Sequence, residues 1–395
     1  MIRVHFSGET TMEDKNLNRR QILGGVAAAA GAAGLLGQLA PTQAAAAEAA
    51  GAAIPTPNVG ESQKPTITDV KDRVAYITGG SSGIGLGIAR ALHEQGAKVI
   101  LGNIDEKQFP DALKMFPAND PRVATVVHNV MERDSWEAKA DEIEKKFGPV
   151  HILVNNAGVG LQAGVISGTY NDWDWGMGVN FWGPVYGAKT FVPRMRARPG
   201  EGCHIVTTTS TSAILVGLPV GIYAVSKMAA QGLMEQLRDD LRNTNIGTST
   251  LIPGMTQTNI GQSETHRPEN LKNAQAAAPQ RPLVPPAGAA GRPPARPAAT
   301  NDAGPFWARP QDPITVGRLV VNAILNNDLF IFPAPEYRQG MEARAAAYIE
   351  SMVPFTPVPA NIQAGIDANR YLFTPMYAQE AAHRRATSKR KISGI

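Results

Sequence analysis

The sequence predicts an α/β fold, a single doubly wound domain built on a seven-stranded parallel sheet. Three observations carry the prediction. Short β-branched runs alternate with helix-length amphipathic segments from Val74 onward, the pattern of a parallel sheet wrapped by helices. A glycine-rich stretch, "TGGSSGIG" at 78–85, joins the first run to the first such segment. Hydrophobic residues make up 43% of the 395, enough for one large core once a prefix and a tail are set aside.

The first strand is "VAYIT" (74–78), an unbroken apolar run of the kind that both faces of a parallel sheet bury. A helix over 84–95 follows it. Further strands fall at 98–104, 123–130, 151–156, 204–210, 247–253 and 329–333, with helices over 133–147, 171–196, 222–243 and 313–327. Right-handed crossovers then line up the carboxyl ends of the strands along one edge, where ligands bind. The folded domain spans 70–353. Within it, 261–312 breaks the alternation, because nine prolines stand between Pro279 and Pro310. That density of missing N–H donors forbids a packed element. Ending near Phe306-Trp307, the insertion is either a flap over a bulky substrate or a loop without a part in binding. Residues 354–395 form a C-terminal extension.

Residues 1–47 read as an export signal and 48–69 as a linker. Nineteen uncharged residues, Ile22–Ala40, are rich in alanine and glycine and are followed by small residues at a cleavage-like site. Arg19-Arg20 ahead of them resembles the bacterial twin-arginine signal. Export by that machinery to the periplasm or beyond is expected, without a permanent membrane span. The alternatives are an uncleaved anchor or a cytoplasmic protein. The net charge of +4 owes much to this prefix and to the tail "HRRATSKRK", read as a solvated end and not a nucleic-acid surface. Cys203 is the only cysteine, which excludes an internal disulfide and a cysteine-based metal cluster. The histidines do not cluster with carboxylates, and no metal site is expected.

Without a Cβ, Gly79, Gly83 and Gly85 let the strand-to-helix turn approach a pyrophosphate, while the helix N-terminus offers free N–H groups. T-G-x-x-x-G-x-G at Thr78–Gly85 resembles the short-chain dehydrogenase/reductase superfamily, whose fold is Rossmann-type. The resemblance runs over most of 70–350. It assigns to a nicotinamide dinucleotide Thr78, Gly79, Ser81, Ser82, Gly83, Ile84 and Gly85. It adds Asn156, Ala157 and Gly158 of "NNAG", and Pro253, Gly254, Thr256 and Thr258 of "PGMTQT".

"YAVSK" places Tyr223 and Lys227 one turn apart on a helix face. A neighbouring ammonium, joined by the positive nicotinamide of an oxidised cofactor, is expected to lower the phenol's pKa, making Tyr223 a usable base for a carbinol proton. Tyr223 and Lys227 are also expected to contact the cofactor, Lys227 at its ribose. Ser210, thirteen residues earlier, is placed to orient the substrate oxygen, and the family's helix asparagine falls on Asn180, supporting Lys227 through a water. The four imply interconversion of an alcohol and a ketone.

Two positions depart from the family. Asn103, with Asp105 nearby, stands where NAD-preferring members carry an aspartate. Asn129, before Val130, replaces the aspartate after the third strand. No cation occupies the places that meet a 2′-phosphate, and Asp105 and Glu106 would repel one. NAD is therefore expected, with NADP as the alternative. "YNDWDWGMGVNFWGPVYGAKTFVPRM" and "LFIFPAPEYRQGME" resemble the bacterial Cα-dehydrogenases of lignin breakdown, which implies a bulky or aromatic secondary alcohol. Trp173, Trp175 and Trp182 share one predicted helix, for core or subunit packing or for stacking on a substrate. A homo-oligomer, dimer or tetramer, is expected. The competing reading is a non-catalytic binder of a dinucleotide or an apolar ligand.

Overall fold

In the computed structural model the strands are β1 (Val74–Thr78), β2 (Lys98–Asn103), β3 (Val123–Val127), β4 (Ile152–Asn155), β5 (Cys203–Thr208), β6 (Ile246–Leu251) and β7 (Phe330–Ile331). They form one sheet in the order β3-β2-β1-β4-β5-β6-β7, and every pairing is parallel. The structure describes residues 60–217, 220–273, 310–353, 356–373, 375–387 and 392. The prefix 1–47 and the pair Phe306-Trp307 lie outside them. No helix of the described residues is long and apolar enough to cross a membrane.

The helices are α1 (Gly83–Glu94), α2 (Phe109–Leu113), α3 (Trp136–Phe147), α4 (Tyr170–Met177), α5 (Gly183–Arg196), α6 (Gly221–Asp240), α7 (Pro313–Asn326), α8 (Arg338–Glu350), α9 (Ala360–Phe373) and α10 (Pro375–Ala386). Helices cover both faces, so the inner strands are buried along almost their whole length, with the charged Lys98 only at the start of β2. One core layer sets Ile88 and Leu92 of α1 and Val316 and Val320 of α7 against the sheet. The opposite layer is built from Trp136, Phe191, Met195 and Met234 on α3, α5 and α6.

Six of the seven strands end sooner than the sequence predicts, β1 alone ending at Thr78 as expected, and at β3 the cause is local. After β3 the His128 amide still donates to Asn103 O at 2.8 Å, but Asn129 Oδ1 then accepts the Met131 amide and turns the chain. The predicted helix over 171–196 is α4 and α5 joined by a π turn, Gly178–Trp182. Pro184 supplies no N–H to the carbonyl of Asn180, four residues before it, so an uninterrupted α-helix cannot form there. Such one-turn bulges gather at functional sites, and this one carries Asn180.

Residues 60–69, read as linker, lie against the sheet. Ile67 is buried in the core, Thr66 Oγ1 donates to Cys203 O at 2.8 Å, and Gln63 Nε2 donates to three carbonyls around β6. In the C-terminal extension, α10 inserts Glu380, 4% exposed, against Arg238 of α6 at 2.7 Å.

Candidate active site

The carboxyl ends of β1, β2, β4, β5 and β6 surround a cleft of about 280 Å³. At its floor Gly79 and Gly83 take φ of +62° and +49°, a region that only glycine enters freely. A Cβ on Gly85 would meet Gly79 O at 2.2 Å and Asn156 Nδ2 at 2.5 Å. The turn therefore brings bare backbone to the cleft just where α1 begins. Ser82 is its N-cap, with no side-chain hydrogen bond spent on the first amides, so they remain to meet a phosphate.

Thr78 and Ser81 act behind this surface. Thr78 Oγ1 accepts the amides of Asn156 and Ala157 at 2.9 and 3.0 Å, buckling β1 to β4. Ser81 bonds Asn103 and Gln108. Ser82, Gly83, Ile84, Asn156, Ala157 and Gly158 line the cleft, as do Asn103, Asn129 and Val130. Asp105 does not. Its carboxylate caps the next turn by accepting the Lys107 amide at 3.0 Å. Pro253 and Thr258 line the cleft, whereas Thr256 forms an isolated bridge with Gln311 and its hydroxyl donates to Gly254 O. Gly254 packs on Ala334 and Tyr337 instead.

Tyr223 and Lys227 enter from α6. Lys227 is 3% exposed, and its Nζ donates to Thr208 O at 3.0 Å, 5.9 Å from the centre of the Tyr223 ring. Burial without a carboxylate partner pushes the ammonium down to about 8. The expected lowering of the phenol is not what the protein alone produces. Burial raises the Tyr223 pKa, with the Ser210 hydrogen bond opposing it. The ammonium is held by a carbonyl, 5.9 Å from the centre of the phenol ring, and desolvation prevails.

Asn180, 1% exposed, bonds partners other than Lys227. Its Oδ1 accepts the Val159 amide at 2.9 Å, and its Nδ2 donates to Val159 O and Ser226 Oγ. Ser226 Oγ in turn donates to Tyr223 O at 2.7 Å. No direct bond joins Asn180 to Lys227, and Oδ1 keeps one lone pair beyond the Val159 bond. A Cβ on Gly158 would come within 3.2 Å of both Asn180 Oδ1 and Lys227 Nζ, so this glycine keeps open the space between them. Ser210 Oγ accepts the Ser212 amide at 3.1 Å, which leaves its proton to donate.

The structure adds residues that the sequence does not single out. Gln108, His128, Thr208, Val179, Ser263 and His266 all line the cleft. Thr208 has a readable signal, since it ends β5 two residues before Ser210. Gln108 and His266 have none, because their side chains meet at 3.3 Å across 158 residues of chain. Of the three tryptophans, Trp175 is buried and lines the cleft. Trp182 is exposed and stacks on Tyr186.

A bare glycine turn at a helix N-terminus fits a dinucleotide's pyrophosphate. At the end of β2 the side chains are the neutral Asn103, Ser81 and Gln108, joined to one another. They suit ribose hydroxyls better than a 2′-phosphate.

The family model described as short chain dehydrogenase matches residues 73–269. A C alpha-dehydrogenase of Sphingobium sp. is 30% identical over 303 residues, covering 76% of this chain and 93% of that one. A short-chain dehydrogenase/reductase of Burkholderia phymatum, solved in complex with NAD, is 28% identical with a TM-score of 0.61, over 74% of this chain and all of that one. A putative short-chain dehydrogenase of Novosphingobium aromaticivorans is 30% identical, also with a TM-score of 0.61, over 80% and 99%. With its sheet order, its glycine turn and its Tyr-x-x-x-Lys helix, the chain belongs to the short-chain dehydrogenase family.

Proposed function

We propose that the protein interconverts a bulky secondary alcohol and its ketone, using NAD, with Tyr223 as the proton-transfer group. The observation that carries this reading is that Tyr223 and Lys227 line the cleft that the glycine turn floors, with Ser210 hydrogen-bonded to Tyr223 just behind the lining. The reaction balances as alcohol and NAD⁺ giving ketone, NADH and a proton. The bound dinucleotide supplies the hydride acceptor or donor.

The chain's residues account for the rest. Ser210 Oγ–H donates to the substrate oxygen and fixes it beside the Tyr223 hydroxyl. In oxidation Tyr223 takes the carbinol proton, and in reduction it returns one to the forming alkoxide. Because burial raises its pKa, Tyr223 is a proton donor at neutral pH in the protein alone. Added positive charge at the site is what would make it a base. Lys227 holds an ammonium one turn away, anchored on Thr208.

Apolar lining by Val159, Trp175, Val179 and Ile260 supports an apolar substrate, and the C alpha-dehydrogenase relative supports an aryl one. The direct test offers purified protein NAD⁺ or NADP⁺ with aryl, polycyclic and short aliphatic secondary alcohols, reading absorbance of the reduced cofactor. Faster turnover of the bulky alcohols, with NAD⁺ preferred, is expected. Short aliphatic alcohols turning over best would overturn the substrate assignment.

Twin-arginine export belongs to the same reading, as a route for a protein that folds around its cofactor before crossing a membrane. Replacing Arg19 and Arg20 by lysine is expected to leave the precursor inside the cell. Normal export of that variant would remove the assignment.

A further inference from the structure

Beyond β6 the chain crosses the mouth of the cleft. Its 3₁₀ turns, Ile260–His266 and Glu269–Leu271, set Ile260, Ser263, His266 and Pro268 along the lining. The crossing is fastened at three places. Ser263 Oγ accepts the Gly160 amide at 2.9 Å, and a Cβ on Gly160 would press on Ile260 O at 3.0 Å. His266 Nε2 meets Gln108 Nε2 at 3.3 Å, at the end of the cleft where β2 stops.

The third fastening has the most partners. Arg267 is 7% exposed, and its Nη2 donates to Asp172 Oδ1 at 2.8 Å. Both partners are nearly withdrawn from water. The guanidinium lies 4.2 Å over the ring of Trp175, which itself lines the cleft. It also donates to Glu264 through Nε and Nη2 and to Leu271 O through Nη1. Asn273 Nδ2 donates to the same Asp172 oxygen at 3.1 Å. Asp172 is meanwhile the third residue of α4 and closes the capping box with Thr169 that starts it, and this helix runs on into the Asn180 turn. Burial works to raise the Asp172 carboxyl, and the Thr169, Asn273 and Arg267 bonds outweigh it, holding it below its ordinary range.

We propose that Arg267 is a positioning residue for the substrate. By clamping to Asp172 over Trp175, it holds segment 260–273 across the cleft, so that substrate is enclosed at the Tyr223 end while His266 bears on the β2 end. It touches neither the reacting carbon nor the proton path. A buried pair of this kind contributes little net stability over an apolar replacement, so its use here is to fix where the crossing sits. This inference rests on the oxidoreductase reading for its substrate, but the position of the segment can be read without turnover.

The test uses the full-length protein and the double variant Arg267→Met/Asp172→Asn, which removes both charges and keeps their volume. Hydrogen exchange of 260–273 is followed with and without NAD⁺, beside the melting temperature and the steady-state constants for whichever secondary alcohol the wild type oxidises. The clamp predicts exchange of 260–273 at least tenfold faster in the double variant, with the sheet strands unchanged. It predicts KM raised about tenfold, kcat within about threefold, and Arg267→Lys falling in between. Unchanged exchange in 260–273, or kcat falling with the melting temperature while KM stays fixed, would overturn it. If the wild type oxidises no alcohol but the exchange result holds, the clamp stands and the oxidoreductase reading falls.

Discussion

Helix α6 carries two buried cations about three turns apart, and they are handled in opposite ways. Arg238, 2% exposed, meets the equally buried Glu380. It donates to that carboxylate through Nε and Nη2, and also to Asn327 Oδ1 and Thr248 O. Every strong donor has an acceptor, and the charge is opposed. Lys227, at the cleft end, has one carbonyl and no carboxylate, and burial alone sets its pKa. The far end of the helix leaves no buried charge unopposed, although burial still outweighs Glu380 in lowering the Arg238 pKa. The near end leaves a charge uncompensated in a place that a phenol, a hydroxyl and a glycine-floored cleft share. Sites that must act on a ligand keep such strain, and structural sites remove it.

The largest effect should come from breaking the compensated end. Arg238→Met leaves Glu380 buried and unpaired, and is expected to cost about 3–5 kcal/mol in chemical denaturation. Pairing it with Glu380→Leu should recover most of that loss. If Arg238→Met costs under about 1 kcal/mol, Arg238 and Glu380 are not the anchor that the geometry describes.

Lys227→Met should act in the other direction. A lysine whose pKa falls from 10.5 to about 8 on folding binds fewer protons folded than unfolded between those values. Its burial therefore costs stability below pH 8, and the cost fades as pH rises through the window. Near pH 7 the variant is expected to be more stable by up to about 3 kcal/mol, less whatever the Thr208 hydrogen bond contributed. It should also lose turnover. The gain should shrink steadily from pH 8 to 10.5, and a gain independent of pH would mean that the ammonium is not what burial penalises.

What the sequence makes legible follows the same division. The glycine turn, the Tyr223–Lys227 spacing and the seven strands are local patterns, so a linear reading finds them. The parallel order and the cleft at the strand ends follow from chirality. Contacts closed by distant segments are not readable. Asp172 and Arg267 stand 95 residues apart, and Arg238 and Glu380 stand 142 apart. Nothing in the tail's composition marks Glu380 as buried. Asn180 is readable as a residue but not as a geometry. Only Pro184, four places on, hints that its helix must bulge. Thr256 is readable as a motif position but not as a geometry, because nothing local shows that its hydroxyl turns back to Gly254 O or that the chain on either side of it pairs with Gln311.

The account's central claim is that Tyr223 moves the proton, in a cleft whose phosphate-binding floor is built by other residues. The measurement that tests it most directly compares the wild type with Tyr223→Phe, which deletes one oxygen. NAD⁺ binding is measured by calorimetry, and alcohol oxidation by the reduced-cofactor absorbance. The account predicts an NAD⁺ affinity within about threefold of the wild type and turnover lower by at least about a hundredfold, as for loss of a general acid or base. Turnover within about tenfold of the wild type, with binding intact, would contradict it.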